Sequence, residues 1–194
     1  MLEVNKGKAI IFSAPSGSGK STLVHKLLAK YPQLEFSISA TTRNPRGTER
    51  QGIDYHFFSV EQFHKLISNN ELVEYEEVYA GRFYGTLKSE LKRIWEKGHI
   101  VVFDVDVVGG VNLKNYFGDS AISFFIKAPS IEILQLRLEM RGTDSREEIK
   151  KRVGKASYEM TFQDKFDHVI INDNLDVAIQ SIEEILIPIF NTNK

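Results

Sequence analysis

The 194-residue chain contains no cysteine, which excludes a disulfide framework and any thiolate metal site and suits a cytoplasmic protein. A long apolar run is missing too. The N-terminus carries Glu3, Lys6 and Lys8, so neither a signal peptide nor a membrane-spanning helix is expected. Nor is there an excess of charge of either sign: Lys+Arg 25 against Asp+Glu 26 gives a net charge of −1. Without a global basic surface, nucleic acid is not an expected partner, and any anion binding has to come from local clusters. Low-complexity tracts and internal repeats are absent. What is present is the composition of a soluble globular protein, 42% hydrophobic and 26% charged, with length for one domain, a substantial core and inserted lobes.

Against that background one stretch stands out, Ala14-Pro15-Ser16-Gly17-Ser18-Gly19-Lys20-Ser21. It follows the apolar run Lys8-Ala9-Ile10-Ile11-Phe12 and precedes Thr22-Leu23-Val24-His25-Lys26-Leu27-Leu28. A buried strand, a small-residue loop ending in Gly-Lys-Ser, and a helix are the context of a phosphate-binding loop. Gly17 and Gly19 let successive N–H groups converge on phosphate oxygens, and the helix N-terminus adds partial positive charge. Lys20 is expected on the β- and γ-phosphates of a nucleoside triphosphate, and the Ser21 hydroxyl on Mg²⁺. The strict pattern has Gly where this chain has Ala14, a residue still small enough for the turn.

The remaining pattern alternates strands and helices. Leu34 to Ile38 reads as a strand, and the polar run Ala40 to Arg50, with Arg43, Arg46 and Arg50, as a loop. Tyr55 to Phe58 is a short strand, and Ser59-Val60-Glu61-Gln62 a capping box that opens a helix. Leu72 to Tyr79 is a strand, Ala80-Gly81 a turn, and Arg82 to Thr86 leads into a helix Leu87–Lys97 closed by Gly98. Residues 37–95 thus form a small mixed α+β lobe. The apolar runs His99–Asp104, Ala121–Ile126 and Val169–Ile171 predict parallel strands covered on both faces. Helices are expected near 108–116, 131–140, 146–162 and 176–188, the third opened by the capping box at Ser145 and the last capped by Asp176. The fold class is α/β, a P-loop NTPase-type parallel sheet flanked by helices. Arg137 and Arg141 share a helix face, Thr143-Asp144-Ser145 follows as a short polar loop, and Arg152 lies on the next helix. Beside a bound triphosphate these arginines suit a helical lid that neutralises a transferring phosphoryl group.

The chain resembles the guanylate kinases over nearly its whole length. The resemblance is carried by Ser39-Ala40-Thr41-Thr42-Arg43-Asn44-Pro45-Arg46, Gly52-Ile53-Asp54-Tyr55-His56-Phe57, Phe83-Tyr84-Gly85-Thr86, Asp104-Val105-Asp106 and Arg137-Leu138-Glu139-Met140-Arg141-Gly142. It implies phosphorylation of GMP, with dGMP as a further acceptor, by ATP with Mg²⁺, in purine nucleotide metabolism. It also implies a core of residues 1–36, 96–128 and 152–194, a GMP-binding lobe at 37–95 and a lid at 129–151.

By the same resemblance, Arg43 and Arg46 clamp the GMP phosphate with the hydroxyls of Tyr55 and Tyr84, and Glu49 belongs to that site. Arginine forks suit phosphate oxygens bidentately. Glu74 and Asp106 read the guanine, whose N1–H and N2–H₂ are neighbouring donors matched by a carboxylate, and Ser39 and Thr86 complete the base pocket. ATP is held by Ala14 through Ser21; Lys20, Arg137, Arg141 and Arg152 supply catalytic charge; Ser21 and, through water, Asp104 hold the metal. For Asp104 a structural bond to the phosphate loop is an equal alternative. Two departures stand out. The family's R-x-G-E is here Arg46-Gly47-Thr48-Glu49, with glycine moved by one, and the stretch from Glu74 to Tyr84 carries one extra residue near Ala80-Gly81.

An acceptor phosphate monoester is mostly dianionic at neutral pH (second pKa about 6), so no strong general base is needed. The five histidines, scattered along the chain, are read as structural or surface groups. Two other readings are a non-catalytic guanylate-kinase-like interaction module and a kinase for a different nucleoside monophosphate. Whether the chain acts as a monomer or a homo-oligomer is left open.

Overall fold

The computed structural model describes residues 8–142 and 144–191; Glu3, Lys6 and Thr143, named above, lie outside them. In chain order the elements begin β1 (Ala9–Ser13), α1 (Lys20–Lys30), β2 (Leu34–Phe36), β3 (Ala40–Thr41), β4 (His56–Phe57), α2 (Val60–Ser68), β5 (Leu72–Tyr79) and β6 (Arg82–Leu87). They continue with α3 (Lys88–Trp95), β7 (Ile100–Val105), α4 (Val107–Phe117), β8 (Ala121–Lys127), α5 (Ile131–Arg141), α6 (Arg146–Met160), β9 (His168–Ile171) and α7 (Leu175–Asn191).

The apolar runs become the strands of a parallel sheet flanked by helices. β1 is buried at every position, as its five consecutive non-charged residues require. The sheet order is β2–β7–β1–β8–β9. β2 runs parallel to β7, with Leu34 opposite Ile100, and β8 runs parallel to β9, with Phe124 opposite His168. A second sheet, ordered β4–β3–β6–β5, is mixed: β3 pairs parallel with β4 and antiparallel with β6, and β5 pairs antiparallel with β6.

The chain divides into two compact units. The first comprises the chain up to Ile10, Gln33–Phe103 and Val108–Ala121. Its mixed sheet carries an apolar cluster of Ala40, Phe63, Leu72, Phe83 and Leu87, against which Phe58, Leu66 and Ile67 pack. The Phe63 and Phe83 rings stack at 5.4 Å, and Phe63 is fully buried, a position worth roughly 2–3 kcal/mol. Gly85 has to be glycine because a Cβ there would come within 2.7 Å of the Glu74 carbonyl oxygen. Glu35, on β2, gathers Arg93, Lys97 and His99, while Arg93 also bonds Glu90. The buried Glu90 in turn accepts from the Ile38 N–H at 3.2 Å and lies 3.2 Å from His56 Nε2.

The second unit comprises Ile11–Pro32, Asp104–Val107 and the chain from Ile122 on. Phe12 and Phe124 stack at 5.2 Å. In α7, Ala178, Ile182 and Leu186 recur every four residues and are buried, and the helix packs on α1 and β9. α5 and α6 share a core of Ala128, Leu134, Leu138, Ile149 and Ala156. Gly142, at φ 65, ends α5, and the Ser145 capping box opens α6 as expected.

The structure corrects several boundaries. α1 starts at Lys20, three residues before its first apolar residue Leu23, because Gly19 supplies the N-cap. The arginine loop begins with a short strand, β3, and Arg82 to Leu87 is a full strand whose last residue was expected in the helix. Asp176 is not the cap of α7: the Asn174 side chain accepts from the N–H groups of Asp176 and Val177, at 3.0 and 3.2 Å. The helix also runs past Pro188 to Asn191. Near the extra residue, the β5–β6 register shifts between Glu77 and Tyr79.

Partial burial opposes ionisation of the Glu35 carboxyl, but side-chain hydrogen bonds from Lys97, Arg93 and His99 hold it down to about 2 from its ordinary 4.5. A lowered carboxyl pKa stabilises the fold above the ordinary value and loses that contribution as pH falls from 4.5 toward 2. For a buried pair this shift would correspond to about 3 kcal/mol, which solvent screening reduces to about 1–2 kcal/mol. Glu35→Gln should therefore lower unfolding free energy by about 1–2 kcal/mol at pH 7, with the difference at least halved at pH 3. Urea denaturation at the two pH values measures this, and an equal difference at both would rule the charge network out.

Candidate active site

The loop between β1 and α1 is built on backbone that only glycine adopts without strain: Gly17 and Gly19 have φ of 95 and 85. Gly19 caps α1 without a side chain, and the first turn of the helix holds no acidic residue. Its free N–H groups and the positive end of its dipole therefore remain for an anion. Other elements of the same unit hold the loop. Asn172, buried just after β9, donates from Nδ2 to the Ser18 carbonyl at 2.8 Å. Arg152, on α6, donates to Ser16 Oγ at 2.8 Å and to Asp144 Oδ1 at 3.0 Å. A Cβ at Gly17 would stand 3.0 Å from Leu138 Cγ, so α5 closes on the loop as well.

Lys20 turns inward. Its Nζ donates to the Val105 carbonyl at 2.9 Å and pairs with the Asp104 carboxylate, at the end of β7. Burial pulls the ammonium down to about 7, against the opposing pull of Asp106 and Glu159. Glu159 is itself pushed up by burial, 3.2 Å from Lys155, whose Nζ is also 4.0 Å from Asp106. Ser13 Oγ fixes the backbone here, donating to the Asp106 carbonyl at 3.0 Å. Ser21 is exposed in the first turn of α1. Arg137 reaches the Asp173 carbonyl at 3.4 Å, and Arg141 is exposed in the last turn of α5.

The other unit holds a cluster of arginines. Arg43 grips Glu49 with both ends of its fork, Nη1 to Oε2 at 2.5 Å and Nη2 to Oε1 at 2.7 Å, and Nη1 also donates to the Asn44 carbonyl at 3.0 Å. The Arg46 N–H donates to the same carboxylate at 2.8 Å. Arg43 holds the Glu49 carboxyl at about 2, well below the usual 4.5, so the pair stays charged at neutral pH. The Arg43 guanidinium lies 4.6 Å over the Tyr55 ring and 5.7 Å from that of Phe57. Tyr55 meets Tyr84 edge-on at 6.3 Å. Thr86 Oγ1 donates to Glu74 Oε1 at 2.8 Å, where the two face each other across β5 and β6. The Ser39 carbonyl accepts from the His56 N–H at 2.9 Å. Arg43, Arg46, Glu49, Tyr55 and Tyr84 therefore come together, as do Glu74 and Thr86; Asp106 belongs to the unit of the phosphate loop.

A family profile described as guanylate kinase matches residues 6–188. The chain belongs to the guanylate kinase family. It is 56% identical over 180 residues to a guanylate kinase of Bacteroides thetaiotaomicron, an alignment covering 93% of this chain and 88% of that protein. It is 52% identical to a guanylate kinase of Porphyromonas gingivalis, over 91% of this chain and 95% of that one. The fold agrees with the crystal structure of guanylate kinase from Anaplasma phagocytophilum at a TM-score of 0.72 and 30% identity, over 93% of this chain and 84% of that one.

Beyond the residues that the family pattern points to, the structure adds Asn172 and Asp144 to the phosphate-loop side. Asn172 had a signal: it directly follows an apolar strand, and ligands of open α/β sheets bind at carboxyl ends of strands. Asp144 lay in the polar loop read as part of the lid, with nothing in its spacing to single it out. Gly19 and Gly142 both have left-handed backbone, but an added Cβ would meet Asn172 Nδ2 at 2.5 Å in the first and nothing within 4 Å in the second. Gly142→Ala should cost about 1 kcal/mol and Gly19→Ala at least about 1 kcal/mol more. Equal losses in urea denaturation would show that Asn172 does not brace the loop.

Proposed function

We propose that this protein is a guanylate kinase that transfers the γ-phosphoryl group of ATP to GMP, giving GDP and ADP. The observation that carries the reading is the presence in one chain of two separately built features suited to phosphate, the glycine loop at the start of α1 and the Arg43–Arg46 loop beside Tyr55. The family to which the chain belongs supports the same reading. Its division into a core (1–36, 96–128, 152–194), a GMP-binding lobe (37–95) and a lid (129–151) is part of the proposal. So is a cytoplasmic location; among the described residues no helix is long and apolar enough to cross a membrane.

In this mechanism the loop N–H groups and Lys20 hold the β- and γ-phosphates, whose charge takes over the pairing that Asp104 now gives the ammonium. The donor set suits Mg²⁺, a hard cation that favours oxygen: the Ser21 hydroxyl and, through water, the Asp104 carboxylate would hold it. When bound, the ion offsets charge on the triphosphate. Arg43 and Arg46 position the acceptor phosphate with the Tyr55 and Tyr84 hydroxyls, and Glu49 fixes the Arg43 fork. By the family pattern the guanine donors fall to Glu74 and Asp106, and Ser39 and Thr86 complete the base pocket. The acceptor oxygen is already anionic near neutral pH, so the chain's work is positioning and charge neutralisation, with Arg137, Arg141 and Arg152 completing the positive field.

A coupled ADP-release assay across GMP, dGMP, AMP, CMP and UMP tests the reading: GMP should be the best acceptor. ADP release with none of them would point to a binding module, and AMP ahead of GMP would overturn the base assignment. Lys20→Ala should reduce kcat by at least about a thousandfold with the fold intact by circular dichroism. Arg43→Ala should raise the KM for GMP about a hundredfold and leave that for ATP within about twofold. Equal rises for both substrates would make Arg43 structural.

A further inference from the structure

Arg82 opens β6, and alternation along that strand separates its side chains. Phe83 and Leu87 enter the apolar cluster, while Arg82, Tyr84 and Thr86 share the opposite face. Tyr84 and Thr86 are residues of the proposed acceptor site, so Arg82 stands on the acceptor face, two positions from the tyrosine. Thr42 ties this end of the strand to the arginine loop. Its Oγ1 donates to the Gly81 carbonyl at 2.8 Å and accepts from the Phe83 N–H at 2.8 Å, the residues on either side of Arg82.

A cavity of about 340 Å³ opens at this junction, lined by Thr42, Arg43, Asn44, Pro45, Arg46 and Arg82. Half of that lining is arginine and none of it is carboxylate. A phosphate monoester brings a charge of about −1.5 to −2 at neutral pH, more than one guanidinium offsets. Arg82 adds a third planar fork that fits phosphate oxygens to those of Arg43 and Arg46.

Resting on the functional reading above, we propose that Arg82 is a third arginine of the acceptor site and binds the phosphate of the nucleoside monophosphate together with Arg43 and Arg46. Arg82→Gln and Arg82→Lys test this, with KM and kcat from the ADP-release assay and GMP affinity from calorimetry on the intact chain. Arg82→Gln should raise the KM and the Kd for GMP about tenfold, leaving kcat at saturating GMP and the KM for ATP within about twofold. Arg82→Lys, which keeps the charge and loses the fork, should fall between. Added salt should weaken GMP binding less in Arg82→Gln than in the parent. A parent that turns over GMP while Arg82→Gln binds it equally well overturns this proposal alone, as does an equal rise in the KM for ATP. A parent that neither binds GMP nor releases ADP overturns the functional reading, and this proposal with it.

Discussion

An ammonium group largely withdrawn from water has to be met by acceptors or negative charge at contact distance, and Lys20 is that group. Its Nζ is answered by the Asp104 carboxylate and the Val105 carbonyl, and the cost of its burial is visible in a pKa drawn down to about 7. Much of the second unit is arranged round this demand. β7 ends where it can deliver Asp104 and Val105, α1 begins at the lysine, and Asn172 and Arg152 hold the loop between them. A triphosphate entering such a loop replaces one set of negative charges with another rather than finding a bare cation.

The same economy appears in the first unit, solved with different residues. Arg43 is held in place by Glu49 and spread over the Tyr55 ring, so its guanidinium is both fixed in position and paired, as the acceptor role proposed for it requires. One site answers its cation with a strand-end carboxylate, the other with a carboxylate six residues along the same loop. Both arrangements keep positive charge ready and balanced.

Much of this was legible in the sequence because local rules decide it. Gly17, Gly19 and Lys20 announce a loop of one conformation, continuous apolar runs announce buried strands, and two serine capping boxes open α2 and α6 where they were expected. The arginine-rich run was legible as a pattern but not as a shape, since a two-residue strand such as β3 is set by its neighbours β4 and β6 rather than by its own residues. The expected Asp176 cap failed for a similar reason: Asn174 and Asp176 are both good capping residues, and only the path of the chain chooses between them. Long-range pairings were legible only where the family pattern or the phosphate loop pointed to them, as for Glu74 with Thr86 and Lys20 with Asp104. Nothing in the spacing of Arg152 and Ser16, or of Glu35 and Arg93, announces that they meet.

The bond from Asn172 to the Ser18 carbonyl joins residues 154 positions apart. The phosphate loop is made well before this brace, which sits after β9, the last strand among the described residues. During synthesis the loop can curl locally, but it acquires that brace only once β9 has been made and has paired with β8. The braced form of the loop is therefore a late product of synthesis, set by the order in which its residues arrive.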